Sequence, residues 1–311
     1  MESCLNAERR EYMSFECVIK GKNIEKKFKG FALDIPELNI PKGFATALIG
    51  ENGAGKSTLL NILAGIRLDA KGEIRYFDEY DQIEREEGNG KERIGYVGPG
   101  NYYLPHWTVW QVEEMSEILF ENFHREKFET LCESFAIYGA DVFSKKKQIS
   151  HLSDGTKMKL MLANVLARET DALVLDEPAS PLDPLMRERL CEIIQEYLEN
   201  GNGEKSVFFS THNISDMEHI TDYAIIMENG KIVEEGFVTD LKEKYILVKG
   251  DAEDKEKAKE ILYTMTANKY GFEGICLAED LDKLAGMNVT KEIPSLYQIS
   301  VAVMKVNSLM K

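Results

Sequence analysis

One stretch limits this chain more than any other: Gly50-Glu51-Asn52-Gly53-Ala54-Gly55-Lys56-Ser57-Thr58, of the form G-x-x-x-x-G-K-[ST]. It follows an apolar run at 44–49 and leads into Leu59, Leu60, Ile62 and Leu63 at helical spacing, so the context is strand, loop, helix. Glycines let successive backbone N–H groups turn toward one anion, and the N-terminus of the following helix places roughly half a positive charge beneath it. Lys56 can then reach the β- and γ-phosphates of a nucleoside triphosphate, while the Ser57 hydroxyl binds Mg²⁺. The bland alternative, a glycine-rich turn between a strand and a helix, leaves Lys56-Ser57-Thr58 and the flanking pattern without a reason.

With 311 residues, 43% of them apolar, the chain can bury a large core and has room for two domains, or for one large domain with an appendage. Acidic residues outnumber basic ones 54 to 38, a formal charge of -16, so the surrounding field repels nucleic acid and anionic headgroups. The basic stretches at 20–29 and 145–147 are short, lack an aromatic ladder and read as solvated faces, so no nucleic-acid partner is expected. The five cysteines (Cys4, Cys17, Cys132, Cys191 and Cys276) are scattered without a C-x-x-C pair, which suggests neither a disulfide framework nor a zinc site and fits the cytosol. No stretch approaches the roughly 18 apolar residues of a spanning helix, and residues 1–15 lack the apolar core of a secretory signal, so a membrane role has to come through a partner. Residues 1–14 are expected to be a disordered extension.

Short apolar alternations at 15–19 and 32–40, broken by Gly21, Gly30, Pro36 and Pro41, predict an antiparallel β-subdomain ahead of the phosphate loop. Within it lies Phe28. An exposed aromatic there could stack on a purine, worth about 1–3 kcal/mol by analogy with base stacking; taken alone, the residue reads as core. After the loop helix, 73–77 reads as a strand, 78–92 as a polar surface loop, and 94–97 as a strand running into the turn-rich Gly98-Pro99-Gly100-Asn101. Thr108 and Gln111 have capping-box spacing and open an amphipathic helix to about Phe123; helical pattern resumes over 126–138. Leu152-Ser153-Asp154-Gly155 opens a further helix over 156–168, where a serine and a glycine normally mean only capping. Residues 108–168 thus read as a helical subdomain inserted in an α/β core.

The run Ala172-Leu173-Val174-Leu175 is too short for a helix and reads as a buried parallel strand ending in Asp176-Glu177-Pro178. Ligands gather at the C-terminal edge of such a sheet. Asp176 is suited to holding Mg²⁺ through water, and Glu177 to orienting or deprotonating an attacking water. Paired acids on a turn are usually only solvated; a phosphate loop in the same chain favours the functional reading. After a helix at 184–199, residues 206–210 read as another buried strand, ending in Thr211-His212-Asn213. A lone histidine is more often structural, but at that edge His212 can donate to phosphate oxygens. Residues 224–233 read as a closing hairpin. Beyond Leu241 a charged amphipathic helix is expected over 251–267, a strand over 274–278 and a terminal helix over 294–310. Together they read as a small α/β appendage at 242–311 that either regulates or dimerises the core or packs on a core of its own.

In this order the motifs resemble the nucleotide-binding subunit of an ABC transporter, over residues 15–241. The resemblance implies an α/β P-loop cassette with an N-terminal antiparallel β-subdomain and a helical insertion. It implies an ATPase using ATP and Mg²⁺ as a head-to-tail dimer, each ATP lying between one subunit's phosphate loop and the other's signature loop. Carried over by residue, it implies that Phe28 stacks on adenine and that Gly50, Glu51, Asn52, Gly53, Ala54, Gly55, Lys56, Ser57 and Thr58 hold the phosphates. Ser153 and the Gly155 N–H then meet the partner's γ-phosphate, Ser57 and Asp176 serve the metal, Glu177, His212 and Lys56 are catalytic, and Asp183 is an interface aspartate.

Two departures accompany the resemblance. Asp154 and Thr156 stand where the signature has a glycine and a glutamine. A carboxylate about 5 Å from a phosphate charge costs roughly 3 kcal/mol at an effective dielectric of about 20, so Asp154 is expected to point away, with Lys157 and Lys159 offsetting it. Pro99 stands in the loop that carries a Mg²⁺-binding glutamine, with Asn101 as the nearest substitute. Lys157-Met158-Lys159, Gly95-Tyr96-Val97-Gly98 and Pro294-Ser295-Leu296 further resemble small bacterial exporter ATPases of the antibiotic-stress and cell-envelope type. That resemblance implies a separate membrane permease, touched by the loop near Pro99 and the helical insertion, a second ATPase subunit, identical or not, and a place on the cytoplasmic face of the membrane. The alternative is a weakly hydrolysing nucleotide-binding partner of a more competent subunit, motivated by the two departures and opposed by Glu177 and His212. A soluble relative in DNA repair or translation would need a long coiled coil, a second cassette or a basic face, and none is visible.

Overall fold

The computed structural model describes residues 15–77, 79–82, 92–100, 102–137 and 146–309. The extension expected at 1–14, the substitute Asn101, and parts of the loop at 78–92 and of the helical insertion lie outside them.

Strands β1 (Cys17–Phe28) and β2 (Phe31–Pro41) form an antiparallel hairpin. The chain then crosses to a second layer through β3 (Ala45–Ile49), fully buried, and passes through the glycine loop into α1 (Lys56–Leu63). It returns to the first sheet with β4 (Lys71–Tyr76) against β1 and β5 (Glu79–Gln82) against β4, giving the order β2-β1-β4-β5. Residues 79–82 therefore extend a sheet where polarity predicts a loop. An edge strand needs only backbone partners, which the apolar pattern does not report.

After β6 (Ile94–Val97) the helical side begins with α2 (Val109–Leu119). Its start is the capping box: Thr108 Oγ1 accepts from the Gln111 N–H at 3.3 Å, and Gln111 Oε1 from the Thr108 N–H at 2.9 Å. It ends short of Phe123, because Phe120 is already extended and Phe123 bridges to Arg168. Then come α3 (Arg125–Ser134), α4 (Asp154–Leu166), β7 (Ala172–Asp176), α5 (Pro184–Glu199), β8 (Ser206–Thr211), β9 (Tyr223–Glu228) and β10 (Lys231–Phe237). The central sheet has the order β10-β9-β3-β8-β7-β6, parallel except at β10. Side chains alternate between its faces. Ala45, Ala47, Ile49, Leu173, Leu175, Val207 and Phe209 pack toward the helices, while Leu48, Val174 and Phe208 pack toward the first sheet and α1. Burial on both faces is why 172–175 reads as an unbroken apolar run.

Helix α6 (Val238–Lys244) leads to β11 (Tyr245–Asp251), α7 (Lys255–Lys259), β12 (Thr264–Ala267), β13 (Gly271–Leu277), β14 (Val289–Glu292) and α8 (Leu296–Leu309). The helix expected over 251–267 is corrected: only its middle is helical, and Thr264–Ala267 is a strand paired with β13. Pairing of Thr264 and Thr266 in the ladder overrides the local helical period. This antiparallel sheet, β12-β13-β11-β14, has its own small core of Val248, Ala258, Leu262, Phe272, Cys276 and Leu284. The terminal helix joins the main core rather than this small one: Leu296, Ile299, Ala302 and Val303 pack there together with Tyr245, Leu247 and Ile275 of the same sheet. Glu218 anchors that helix, accepting the N–H of Leu296 at 2.8 Å and of Tyr297 at 3.4 Å and pairing with Lys242 at 3.1 Å.

Candidate functional site

Neighbouring strands β3, β8 and β7 bring the segments after Ile49, Thr211 and Asp176 to one edge of the sheet. Gly53 and Gly55 adopt φ values of +88 and +106, and a Cβ on Gly55 would lie 2.8 Å from Phe31 Cζ. Only glycine meets both demands at 55. No side chain caps α1, so its first-turn N–H groups stay available to an anion.

Lys56 is 5% exposed. Its ammonium donates to the carbonyls of Gly50 at 2.7 Å and Glu51 at 3.3 Å and lies 3.4 Å from Glu177 Oε1, so each of its protons has a partner. Glu177 Oε2 lies 2.7 Å from His212 Nδ1. Glu177 itself sits in the left-handed region at φ +51, sparsely populated by residues other than glycine. Its N–H donates to Ser210 Oγ at 2.9 Å, and its carbonyl accepts from the Ser180 N–H at 3.1 Å, which together hold the turn.

Ser210 is a functional residue that the sequence reading passed over. Its Oγ donates to Asp176 Oδ1 at 2.6 Å while accepting from Glu177, so one buried hydroxyl sets both acids. No linear signal singled it out, because the same buried strand also carries the hydroxyls of Ser206 and Thr211. Asp176 is 1% exposed, and its Oδ2 has no hydrogen-bond partner among the described residues. A buried, ionisable oxygen left without a donor fits a hydrated cation such as Mg²⁺, and Ser57 lines the adjoining cleft. Among the described residues no cluster of three His, Cys, Asp or Glu forms a self-sufficient metal cage, so such an ion would rely on phosphate oxygens and water.

Lys56, Glu177 and His212 open into a cleft of about 930 Å³, lined also by the phosphate loop, Pro99, Gly100 and, from α4, Asp154, Lys157, Met158 and Met161. Phe28 stands at its rim, 40% exposed, which corrects the reading of that residue as core. Lys26 Nζ and Arg67 Cζ lie 5.5 and 5.3 Å from its ring centre. Asp154 also lies at the rim, highly exposed and paired at 3.1 Å with Lys157. Burial, the Tyr102 hydroxyl and the charge of Asp176 all push the Tyr96 phenol up, keeping it protonated beside the loop at Gly98.

Ser153, Gly155 and Asp183 are not brought into this cleft. Ser153 Oγ accepts the Thr156 N–H at 3.2 Å, and Asp183 Oδ1 the Met186 N–H at 3.1 Å, so both cap helices. Gly155 packs so closely on the next loop that a Cβ would lie 2.7 Å from the Pro181 carbonyl oxygen. Among the described residues no helix is long and apolar enough to cross a membrane.

A family model described as ABC transporter matches residues 33–180. An uncharacterized ABC transporter ATP-binding protein of Nostoc sp. is 31% identical over 248 residues, 78% of this chain and 71% of that protein. The energy-coupling factor transporter ATP-binding protein EcfA1 of Staphylococcus aureus is 28% identical over 236 residues, 72% of this chain and 83% of its own. A Synechocystis ABC transporter ATP-binding protein is 30% identical, and the chain spans 55% of its length. Among solved structures, a dimeric bacterial ABC transporter cassette aligns with a TM-score of 0.60 at 22% identity, over 71% of this chain and 98% of that one. The cbiO1 subunit from Clostridium perfringens, part of the ABC transporter complex cbiONQ, aligns with a TM-score of 0.56 at 25% identity, over 73% and 90%.

Proposed function

The chain belongs to the ABC transporter family as an ATP-binding subunit and ATPase, and on that premise we propose that it hydrolyses Mg-ATP to drive substrate movement through a separate membrane permease. The observation that carries this reading is the convergence of Lys56, Glu177 and His212 beside the phosphate loop, each within 3.4 Å of the next. ATP would lay its triphosphate along residues 50–58 with its base toward Phe28. Lys56 exchanges the carbonyls of Gly50 and Glu51 for phosphate oxygens. Glu177 orients the attacking water and takes its proton, while His212 steadies that carboxylate and donates to the γ-phosphate. Mg²⁺, held by Ser57 and Asp176, would neutralise charge at the β- and γ-phosphates.

A second cassette would complete each ATP site through its Ser153 and Gly155, with Asp183 at the junction. The permease would touch the groove of about 590 Å³ beside Tyr102, where Ile66 and Leu68 are also exposed. With that contact the subunit would sit at the cytoplasmic face of the membrane. The signature variant with Lys157-Met158-Lys159 favours outward transport, which uptake or loss of substrate in sealed vesicles reads directly. Pro99 and Asp154 favour a second reading, a weakly hydrolysing partner of a more competent cassette.

The deciding experiment replaces Glu177 by Gln. Steady-state turnover is expected to fall by about 100-fold or more, the scale of a lost general base, with accumulation of ATP-bound dimer. Equal turnover in both forms overturns the enzyme reading and leaves the regulatory one. Capture from membranes in the presence of ATP identifies the permease.

A further inference from the structure

Glu177 and His212 follow the neighbouring strands β7 and β8, whose register and the Ser210 hydroxyl bring them to one edge, and their 2.7 Å contact depends further on how the two loops beyond those strands are held against each other. Glu177 opens the turn 177–182, in which the Ser180 N–H bonds the Glu177 carbonyl and the Leu182 N–H bonds the Ala179 carbonyl. His212 opens the segment 212–217, which folds into a short 3-10 turn over Ile214–Asp216. Arg187, on the first turns of α5, reaches both. Its Nε–H donates to the Leu182 carbonyl at 3.0 Å, and its Nη1–H to Asp216 Oδ2 at 2.9 Å. The same Asp216 oxygen accepts from Asn213 Nδ2 at 3.1 Å, and Asn213 directly follows His212. Cys191, one turn further along α5, donates to the Asp216 carbonyl at 3.6 Å.

We propose that Arg187 is a positioning residue for ATP hydrolysis: its planar fork ties the Leu182 carbonyl to Asp216 and thereby sets the spacing between Glu177 and His212. The proposal rests on the catalytic reading of that pair. Arg187 does not line the nucleotide cleft and touches none of the phosphate loop. A guanidinium suits the task because its two donors sit in fixed geometry in one plane, whereas a lysine ammonium is a single point on a flexible stem. Charge alone is thus insufficient, and the Leu182 contact must be kept together with the Asp216 contact.

The test compares the full-length parent with Arg187→Lys, Arg187→Ala, His212→Ala and the double variant Arg187→Ala/His212→Ala. Turnover and nucleotide affinity are measured on each, and the ¹⁵N shift of His212 Nδ1 on the three forms that keep this histidine. Arg187→Ala is expected to lower kcat by about 10- to 100-fold, the scale of a small misplacement at a reacting centre, with the ATP dissociation constant changed by less than about twofold. Arg187→Lys should fall nearer to Ala than to the parent, and the His212 Nδ1 shift should move in both. In the His212→Ala background, removing Arg187 should lower residual turnover by less than about twofold, because residues acting through one contact are not additive. Parent-like kcat in Arg187→Ala, an unmoved His212 signal, or full multiplication of the two losses overturns the proposal. A parent that does not hydrolyse ATP overturns the catalytic reading instead, so the two failures are separate.

Discussion

Ser210 sets two acids with one hydroxyl, and its removal is the most informative single-atom change at the site. In Ser210→Ala, Asp176 Oδ1 loses its donor in a buried setting and the Glu177 N–H its acceptor in a partly buried one. Stability should drop by about 1–3 kcal/mol in urea unfolding, the usual penalty for an unmatched buried polar group. The Mg²⁺ concentration giving half-maximal turnover should also rise, because the orientation of Asp176 is no longer fixed; an unchanged Mg²⁺ dependence with lower stability would leave Ser210 a purely structural role. At this scale the sequence was legible where chemistry dictates spacing. Gly50 to Thr58, Asp176, Glu177 and His212 all emerge together at the expected edge. Ser210 and Arg187 escaped because their importance lies in strand register and in a helix-to-loop reach, neither of which a linear pattern encodes. Phe28 was misread from its own character because apolarity says nothing of whether a hairpin end overhangs a cleft.

Among the elements, α5 links the site to the helical side. Cys191 faces inward from it, 1% exposed, and burial together with the nearby carboxylate of Asp216 pushes its thiol up to about 11 from an ordinary 9.0. The neutral thiol is the form the fold prefers, so ionisation withdraws stability only as pH rises above the unfolded value near 9.0. Native protein is therefore expected to resist alkylation at Cys191 near neutral pH and to become labelled as pH climbs toward 11 or on unfolding, as peptide mass spectrometry would read. Helices and buried strands were well marked by capping boxes and apolar runs, as in α2 and β7. Strands β5 and β12, read as loop and helix, are both edge strands, whose partners supply what their side chains do not advertise, while β11 and β14 were not anticipated at all.

Across the whole molecule, the terminal helix binds the tail to the main core. Ile299 is completely buried there, within the cluster that also holds Ala224 and Ile226 of the central sheet. Ile299→Ala should cost about 2–5 kcal/mol, and the drop should be seen in the same unfolding transition that reports the central sheet. A tail that melted separately, leaving the main transition unmoved, would show that the two parts fold independently. The sequence marked this helix but could not say whose core it joins, since an amphipathic face identifies no partner.

The internal bonds of Lys56 carry a consequence for nucleotide affinity. Its ammonium is already matched by two carbonyls and a carboxylate before any phosphate arrives. Nucleotide binding is then an exchange of one set of strong charge-assisted bonds for another, and its net free energy is a difference between the two sets rather than a sum of new contacts. The same exchange, run backward, gives the lysine somewhere to go when the spent nucleotide departs. The affinity of such a loop for a triphosphate is set by how far the bonds of Lys56 to phosphate oxygens exceed those it gives up.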